Sequence, residues 1–504
     1  MKYLDRFLDR ITMYRLLMYY VIGLLGVAML YGAFGIISYS PYKIFLSTAL
    51  IVGVSVSVNY VFAKIYKAPS NPESSIITGL ILALIITPAA SLQVVPFLVA
   101  ATGLAIASKY ILAINNKHIF NPVAIAVVLT AFGPQETASW WVGSAVMAPF
   151  VLIGGLLVVR KIRRTKMVGL FFAVALIGTA LVTLMLQKDV FSSLQTTILH
   201  SSLLFLGFVM LTEPLTSPST WSKQRWFVII VAIFFIPDLH IGGIYSTPEL
   251  ALVIGNLAAF FMTPRVKTLL RLHSTASHGQ ATEDFLFTPE RKFTYQAGQY
   301  IELTLPHEHA DQRGSRRFFT LASSPTEDDI RIGIRFYDKG STFKRVLRTA
   351  SADLFLSAGQ LGGDFTLPKN PQQKITFIAG GIGVTPFRSM VKFLSDTQDV
   401  RDVSLLYGEN SLDSVSYSDV FEEARQKIGV KTTYVINDDS VAPTDKIAKG
   451  RIDAPLIQAQ VPDFLDRLFY ISGPQPMVRG VRQTLISMGV RRGNIKVDYF
   501  SGYA

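Results

Sequence analysis

The stretch FIAGGIGVTPFRSM (377–390) ends an apolar run in Gly380, Gly381 and Gly383 and opens a helix at Thr385-Pro386. Glycines there let backbone approach a dinucleotide, and the helix N-terminus offers N–H groups to its pyrophosphate. The spacing is G-G-x-G, not the full G-x-G-x-x-G, and a tight strand-to-helix turn is the lesser alternative. Later, ISGPQPM (471–477) sets Gly473-Pro474, after Ser472, at a strand end facing the same crevice. Upstream, RRFFTLASSP holds Arg317, Phe319 and Thr320 in an R-x-[FY]-[ST] pattern. The cation suits a pyrophosphate, the ring flanks a flavin, and the hydroxyl reaches a ring edge, although an ordinary β-strand has the same pattern. In GSTFKRVL, Gly340, Ser341 and Thr342 offer N–H and OH groups to phosphate. Gly298 in AGQY permits a tight turn.

A second set of polar, turn-rich stretches interrupts the apolar first half: SSIITGL (74–80), HIFNPVA (118–124), LTEPLTSPST (211–220) and YSTPELALVIGN (245–256). Asn121-Pro122 and Thr247-Pro248-Glu249 read as helix starts, a capping residue followed by Pro, and Ser74 or Ser75 is a candidate cap. Such N-termini suit a phosphate or an electron-rich ring edge. They equally suit helices that merely end at an interface.

The elements that position these residues differ between the two parts of the chain. Of 504 residues, 50% are hydrophobic and 16% charged. Residues 1–265 carry 18 Lys/Arg and 8 Asp/Glu, whereas 266–504 carry 30 and 27. The first part is too poor in charge for a soluble domain. Ten apolar segments are expected there, near 16–38, 43–63, 75–91, 94–113, 120–134, 141–159, 167–186, 195–212, 225–237 and 249–263. With the N-terminus cytoplasmic, 16 Lys/Arg fall in inner loops and 2 (Lys43 and Lys188) in outer ones. That split places the protein in a cell membrane as a multi-pass chain with its C-terminal half cytoplasmic. The basic excess is a topology signal and does not point to nucleic acid. Five plus five spans would make an inverted repeat, although no strong sequence repeat is visible. The absence of cysteine excludes disulfides, thiolate nucleophiles and Cys-ligated metals. His118, His200 and His240 lie near segment ends and no two share a segment, which argues against bis-His haem stacks. No metal site is expected.

A basic connector, TPRVKTLLRLH (263–273), leads into the second part. Short runs broken by turns (FLFTP, QYIELTL, RRFFTLAS, IRIGIRFY) predict a β-barrel. From about 372, strands such as KITFIAGG, VSLLYG, KTTYVIN, LFYISGP and IKVDYF alternate with helices near 386–396, 417–428, 454–460 and 475–489. The fold class is therefore multi-domain. An all-α polytopic membrane domain (1–265) precedes a β-barrel (266–369) and a doubly wound α/β domain (370–504).

The ordered motifs AGQY, RFFT, LASSP, GST, GGDFTLP, GGIGVTP, LLYGEN, SGPQPM and the terminal DYFSGY are similar to those of the ferredoxin–NADP reductase superfamily. That resemblance implies FAD at Arg317, Phe319, Thr320, Gly340, Ser341 and Thr342. It also implies a nicotinamide dinucleotide at Gly381, Gly383, Thr385, Gly473 and Pro474. Phe500 is implied to stack on the flavin, and Ser472 stands where many members have Cys beside the reacting carbons. Thr320, Ser472 and Phe500 are thus the candidate catalytic residues. In the first half, TGLILALIITP, HIFNP, LTEPLTSPST and PELALVIGN resemble one family of membrane proteins. It comprises the RnfD component of the Rnf electron-transport complex and the NqrB component of the sodium-translocating NADH:quinone reductase. This resemblance implies a flavin site at Thr78, Gly79, Asn121, Pro122, Thr212, Glu213, Thr216, Glu249 and Asn256. The Ser-Gly-Ala-Thr motif that often anchors FMN in that family is absent, and Glu213 replaces the usual Asp.

These readings predict a membrane-bound NAD(P)H-oxidising flavoprotein. Electrons would pass from cytoplasmic NADH through FAD to FMN or riboflavin in the membrane domain, and on to a quinone or an extracytoplasmic flavoprotein. NADH is favoured over NADPH because Glu409, Asn410 and Ser411 follow the LLYG strand with no Arg between 402 and 424. The alternatives are a flavin or Na+ transporter fused to the reductase, with Glu213 and Glu249 marking its path, and a soluble-type reductase merely anchored to lipid.

Overall fold

The apolar first half folds into helices α1 (Met13–Ala33), α2 (Pro41–Ile65), α3 (Pro72–Ile85), α4 (Val95–Ile111), α5 (Pro122–Thr130), α6 (Ala148–Ile162), α7 (Thr165–Met185), α8 (Val190–Leu199), α9 (Leu203–Phe205, continued by a π turn over Leu206–Met210), α10 (Trp221–Phe235) and α11 (Pro248–Met262). The computed structural model describes residue 8 and residues 11–500, apart from 67–71, 90, 115–116, 132–137, 238, 243, 264–266, 279–280, 308–310, 312–314, 338–339, 353 and 439. The chain forms two units, Met1–Pro264 and Arg265–Ala504.

Four helices among the described residues are long and apolar enough to cross a bilayer: α1, α2, the continuous run Leu92–Ile111, and α7. Counting the α8–α9 pair, bent by 56°, as one span makes five, so the expectation of ten spans is corrected. Hydropathy counted apolar residues without seeing where prolines and turns cut the helices. The 14 residues of α3 rise only about 21 Å, against a hydrocarbon core of ~30 Å. Nor do Ser74 and Ser75 cap α3. They lie inside it, and Ser75 Oγ donates to Pro72 O at 2.8 Å.

Burial separates the two kinds of helix. From Ile77 to Ile85 every residue of α3 is buried, so its all-round apolarity reflects a place in the core. Helix α2 buries only Ile44, Ser47, Ile51, Ser55, Asn59 and Ala63, a stripe of mostly small or polar residues, while Tyr42, Phe45, Tyr60 and Ile65 are exposed. Small residues inside and large apolar ones outside are the pattern of a helix that faces lipid.

The same order of elements occurs twice in this unit. Helix α1 packs on α2 and α3, α2 on α4, and α4 on α5. In the second half α7 packs on α8 and α10, and α10 on α11. Each half has a short hairpin, β1 (Ala113–Ile114) with β2 (Lys117–His118) or β3 (His240–Ile241) with β4 (Ile244–Tyr245), followed by a Pro-started helix. Asn121 caps α5 by accepting from the N–H groups of Val123 and Ala124, and Thr247 caps α11 by accepting from Leu250 N–H. The halves touch where α1 meets α6 and α5 meets α11.

The second unit begins with a curled antiparallel sheet of β5 (Lys267–His278), β6 (Thr282–Pro289), β7 (Tyr300–Thr304), β8 (Arg316–Thr320), β9 (Ile330–Arg335) and β10 (Phe355–Gly362), in the order β8-β7-β10-β5-β6-β9. Residues 267–273, expected to be a connector, are its first strand. Thr268, Leu270 and Leu272 point in while Leu269 and Arg271 point out, so adjacent leucines concealed the alternation. Helix α12 (Thr342–Arg348) covers the sheet. A parallel sheet follows, with strands β11 (Ile375–Gly380), β12 (Val403–Glu409), β13 (Lys431–Ile436), β14 (Ile447–Lys449), β15 (Leu468–Pro474) and β16 (Ile495–Phe500), in the order β14-β13-β12-β11-β15-β16. Its helices are α13 (Thr385–Asp396), α14 (Ser418–Ile428), α15 (Ala454–Gln460) and α16 (Gln475–Ser487). The strand order reverses at β11, so the crevice beyond the carboxyl ends of β11, β12 and β15 is the natural ligand position.

Candidate functional site

Strand β11 is buried along its whole length and ends in the glycine loop. The three glycines have different tasks. Gly381 has φ +56°, and a Cβ there would lie 3.0 Å from Arg335 Nη1, the far end of a side chain. At Gly383 a Cβ would lie 2.5 Å from the backbone of Gly473, and at Gly380 2.3 Å from Met477 Sδ. Gly383 therefore seats the loop on the β15 end and Gly380 on the first turn of α16, and Gly381 is the one beside the crevice. Thr385 opens α13, with its hydroxyl donating to Ile382 O at 3.1 Å. Ser472, Gly473 and Pro474 end β15 beside the loop, and the buried Ser472 Oγ has no hydrogen-bond partner among the described residues. Phe500 pairs with Pro474 through its backbone, and its side chain lies outside the described residues.

Glu409, at the carboxyl end of β12, does not stand alone. Arg335 from the end of β9 reaches it at 3.3 Å, and Tyr407 OH donates to it at 3.4 Å. Burial pushes the Glu409 carboxyl above its ordinary range against the opposing pull of Arg335. The sequence reading missed Arg335 because the two residues are 74 positions apart.

On the barrel, the Arg317 guanidinium lies 5.4 Å over the Phe343 ring and 3.8 Å from Asp311. Phe319 leans on the same Phe343 at 5.8 Å, while its neighbour Phe318 is 51% exposed and meets Tyr300 edge-on at 5.4 Å. Phe318, which the motif leaves unspecified, is thus the ring this strand presents outward. Thr320 is buried opposite Tyr300. Ser341 Oγ accepts from Lys344 N–H as the cap of α12, and Thr342 Oγ1 accepts from Asp311 N–H at 3.0 Å. Both hydroxyls already serve the local fold. Gly340 N–H donates to Tyr337 O at 3.0 Å.

In the first unit the structure gathers most of the sequence candidates. Glu213 accepts from Asn121 Nδ2 at 2.8 Å and Thr216 Oγ1 at 3.0 Å, and His118 Nε2 lies 3.3 Å away. Asn121 N–H donates to Asn256 Oδ1 at 2.8 Å, and Asn256 Nδ2 donates to Thr216 O at 3.3 Å. Thr78, Asn121, Pro122, Thr212 and Glu213 line one cleft with Tyr14 and Ser74 that is partly open to solvent. Two candidates stand apart. A Cβ on Gly79 would lie 2.8 Å from Ser55 Oγ, so Gly79 serves the α2–α3 contact. Glu249 accepts from Trp140 Nε1 at 3.0 Å and is not among the cleft residues. Lys109, not singled out from sequence, donates to Ser74 O and Oγ at 3.0 and 3.1 Å.

Residues 377–483 match the family model of the oxidoreductase NAD-binding domain. A flavohemoprotein of Oceanobacillus iheyensis is 26% identical over 212 residues, 41% of this chain and 52% of that one. The NADH oxidoreductase HCR of Escherichia coli is 25% identical over 201 residues, covering 40% and 58%. The glycine betaine monooxygenase reductase subunit of Chromohalobacter salexigens is 25% identical over 209 residues, covering 39% and 54%. The chain thus spans about half the length of these relatives. Among solved structures, the FAD/NAD-binding domain of a Vibrio cholerae nitric oxide dioxygenase is 19% identical, with TM-score 0.41, covering 46% of this chain and 98% of that one. The strand-end crevice at Gly381 and Ser472 accordingly lies in an oxidoreductase NAD-binding domain.

Proposed function

We propose that the protein is an NAD(P)H-dependent flavin oxidoreductase that holds FAD on the barrel and passes electrons to a second flavin in its helical unit. The observation that carries the reading is the crevice itself. The glycine loop, the unpartnered Ser472 hydroxyl and a barrel side chain, Arg335, meet at one switch point. These groups fit a nicotinamide dinucleotide. Gly381 leaves room for the pyrophosphate at the start of α13, and Ser472 has a free hydroxyl for the carboxamide end. Glu409 favours NADH, since a carboxylate bonds a ribose diol and repels a 2′-phosphate. The barrel set fits FAD as a cation beside aromatic rings, with Arg317 for phosphate, Phe319 and the Gly340–Thr342 turn around it, and Thr320 at the ring edge. Phe500 is assigned to cover the ring at the nicotinamide site.

Bound flavin supplies acceptance of two electrons and their release one at a time. The chain's own residues align donor and acceptor and keep water from the crevice. In the helical unit Thr78, Asn121, Pro122, Thr212 and Glu213 offer polar groups to FMN or riboflavin at the cleft, with Thr216 and Asn256 holding them in place. Glu249 would act at a distance from that cleft. The exposed apolar faces of α1, α2 and α7 support a membrane location, and the distribution of Lys and Arg supports a cytoplasmic reductase. A relay has a purpose there, because ~30 Å of hydrocarbon separates the inner side from a quinone or an outer flavoprotein.

Flavin content of the purified full chain tests both stages. FAD plus one FMN or riboflavin per chain, all reducible by NADH, is expected. FAD alone would sink the relay, and FAD that NADH does not reduce would sink the enzyme. The twofold order of elements and the interrupted helices favour one second reading, a flavin or Na+ transporter joined to the reductase. Riboflavin or Na+ uptake into liposomes without NADH would support it instead.

A further inference from the structure

Within the second unit, the α/β part and the barrel are fastened together by two buried polar contacts. The first is Tyr417, just before α14, which adopts φ +62°, an uncommon backbone state for a bulky residue. Its hydroxyl donates to Asp284 Oδ1 of β6 at 2.5 Å. Asp284 is fully buried, and its other oxygen accepts from His278 Nε2 at 2.9 Å and Arg331 Nη1 at 2.8 Å. Strand β9 makes room for the phenol, because a Cβ on Gly333 would lie 2.4 Å from that hydroxyl. The second is Arg388 in α13. Its guanidinium takes both oxygens of Glu327, donates to Ala322 O at 2.9 Å, and lies 5.7 Å from the Tyr417 ring. Beside it, Ser389 Oγ donates to Ser323 O at 2.6 Å.

The placement of these contacts gives them a role. Arg388 lies three residues beyond Thr385, where the dinucleotide loop becomes helix, and Ala322 lies two residues beyond Thr320 at the end of β8. One clamp therefore joins the two strand ends that would carry nicotinamide and flavin. We propose that Tyr417 and Arg388 are positioning residues for hydride transfer, fixing the separation of the two rings without touching either. Catalytic hydride transfer falls steeply when a bound geometry loosens by about 1 Å.

This inference rests on the reductase reading. Its test is stopped-flow reduction of FAD in the full-length protein by saturating NADH and by NADH carrying deuterium at the transferred position. Tyr417→Phe keeps the ring and removes the hydroxyl, and Arg388→Lys keeps the charge and removes the two-pronged contact. Each is expected to slow reduction at least tenfold and to change the isotope effect, while FAD content and the NADH concentration for half-maximal rate stay within twofold, and the lost buried bonds lower the melting temperature by only a few degrees. Asp284→Asn combined with Tyr417→Phe should cost no more than the worse single change. Rates equal to wild type would overturn the inference, and so would rates that fall only in proportion to lost FAD. If Tyr417→Phe does not fold, Arg388→Lys decides alone. A wild-type protein whose FAD NADH never reduces would overturn the reductase reading instead.

Discussion

Helix α2 and strand β9 differ in what they bury: α2 mixes Ile44, Ile51 and Ala63 with polar residues, whereas β9 buries isoleucines alone. The helix turns Ser47, Ser55 and Asn59 inward and leaves Phe45 and Tyr60 outside. The strand turns Ile330, Ile332 and Ile334 inward, and its half-buried Arg331 and Arg335 pair with the carboxylates of Asp284 and Glu409. Apolar burial therefore organises the second unit, where water drives it. The first unit also buries an apolar core, but α2 meets it with small and polar residues that let helices approach closely. Polar groups take different parts accordingly. Glu213 ties segments of one helical core together, whereas Asp284 and Glu327 tie a barrel to an α/β sheet.

The largest effect expected from this contrast is at Glu213. Glu213→Ala strands the buried Asn121 amide and Thr216 hydroxyl, at about 1–3 kcal/mol for each orphaned group. Second-flavin content and electron transfer beyond FAD should be lost, with NADH-driven dye reduction intact. Loss of dye reduction as well would break the separation of the units. Gly383→Ala should cost about 1–3 kcal/mol through overpacking against Gly473. NADH oxidation should fall while second-flavin content holds, as flavin analysis and steady-state kinetics would report. Arg317→Ala removes a charged contact of about 1.5–3 kcal/mol, so FAD should be retained roughly tenfold less well. Unchanged FAD after gel filtration would count against its role.

A pH titration sharpens the contrast further. Burial alone would push the Asp284 carboxyl up, but bonds from His278, Tyr417 and Arg331 hold it below the ordinary carboxylate range. Its folded pKa is depressed, so its stabilisation is present above about pH 4 and fades as pH falls through the folded value. The melting temperature of the second unit should be flat from about pH 7 to 5 and drop below about 4. Asp284→Asn should remove part of that drop. The smallest effect is expected at Glu409. Glu409→Gln leaves Arg335 unopposed, and the NADH-to-NADPH preference should fall a few-fold in steady-state assays.

Elements whose signals are local were legible. The helices expected near 386–396, 417–428 and 454–460 appear as α13, α14 and α15, because capping and apolar periodicity act within a few residues. The curled sheet followed by a parallel sheet also agrees with the pattern of strands and turns. Strand β5 and the short helices of the first unit were not legible. Leu269 beside Leu270 blurred a period of two, and apolarity alone does not distinguish a helix buried in protein from one facing lipid. At the candidate sites the glycine loop was visible as a motif, but the reason for Gly383 was not. Its constraint comes from Gly473, ninety residues later.

By itself, the order of residues determined composition, the two chemical environments and the local elements, since each depends on near neighbours. Tertiary structure alone decided which polar groups meet. Tyr417 and Asp284 are 133 positions apart, Glu213 and Asn121 92, and Arg335 and Glu409 74. No local preference encodes such pairs. They form because burial makes an unpaired polar group costly, so each folded core selects the distant partner that satisfies it.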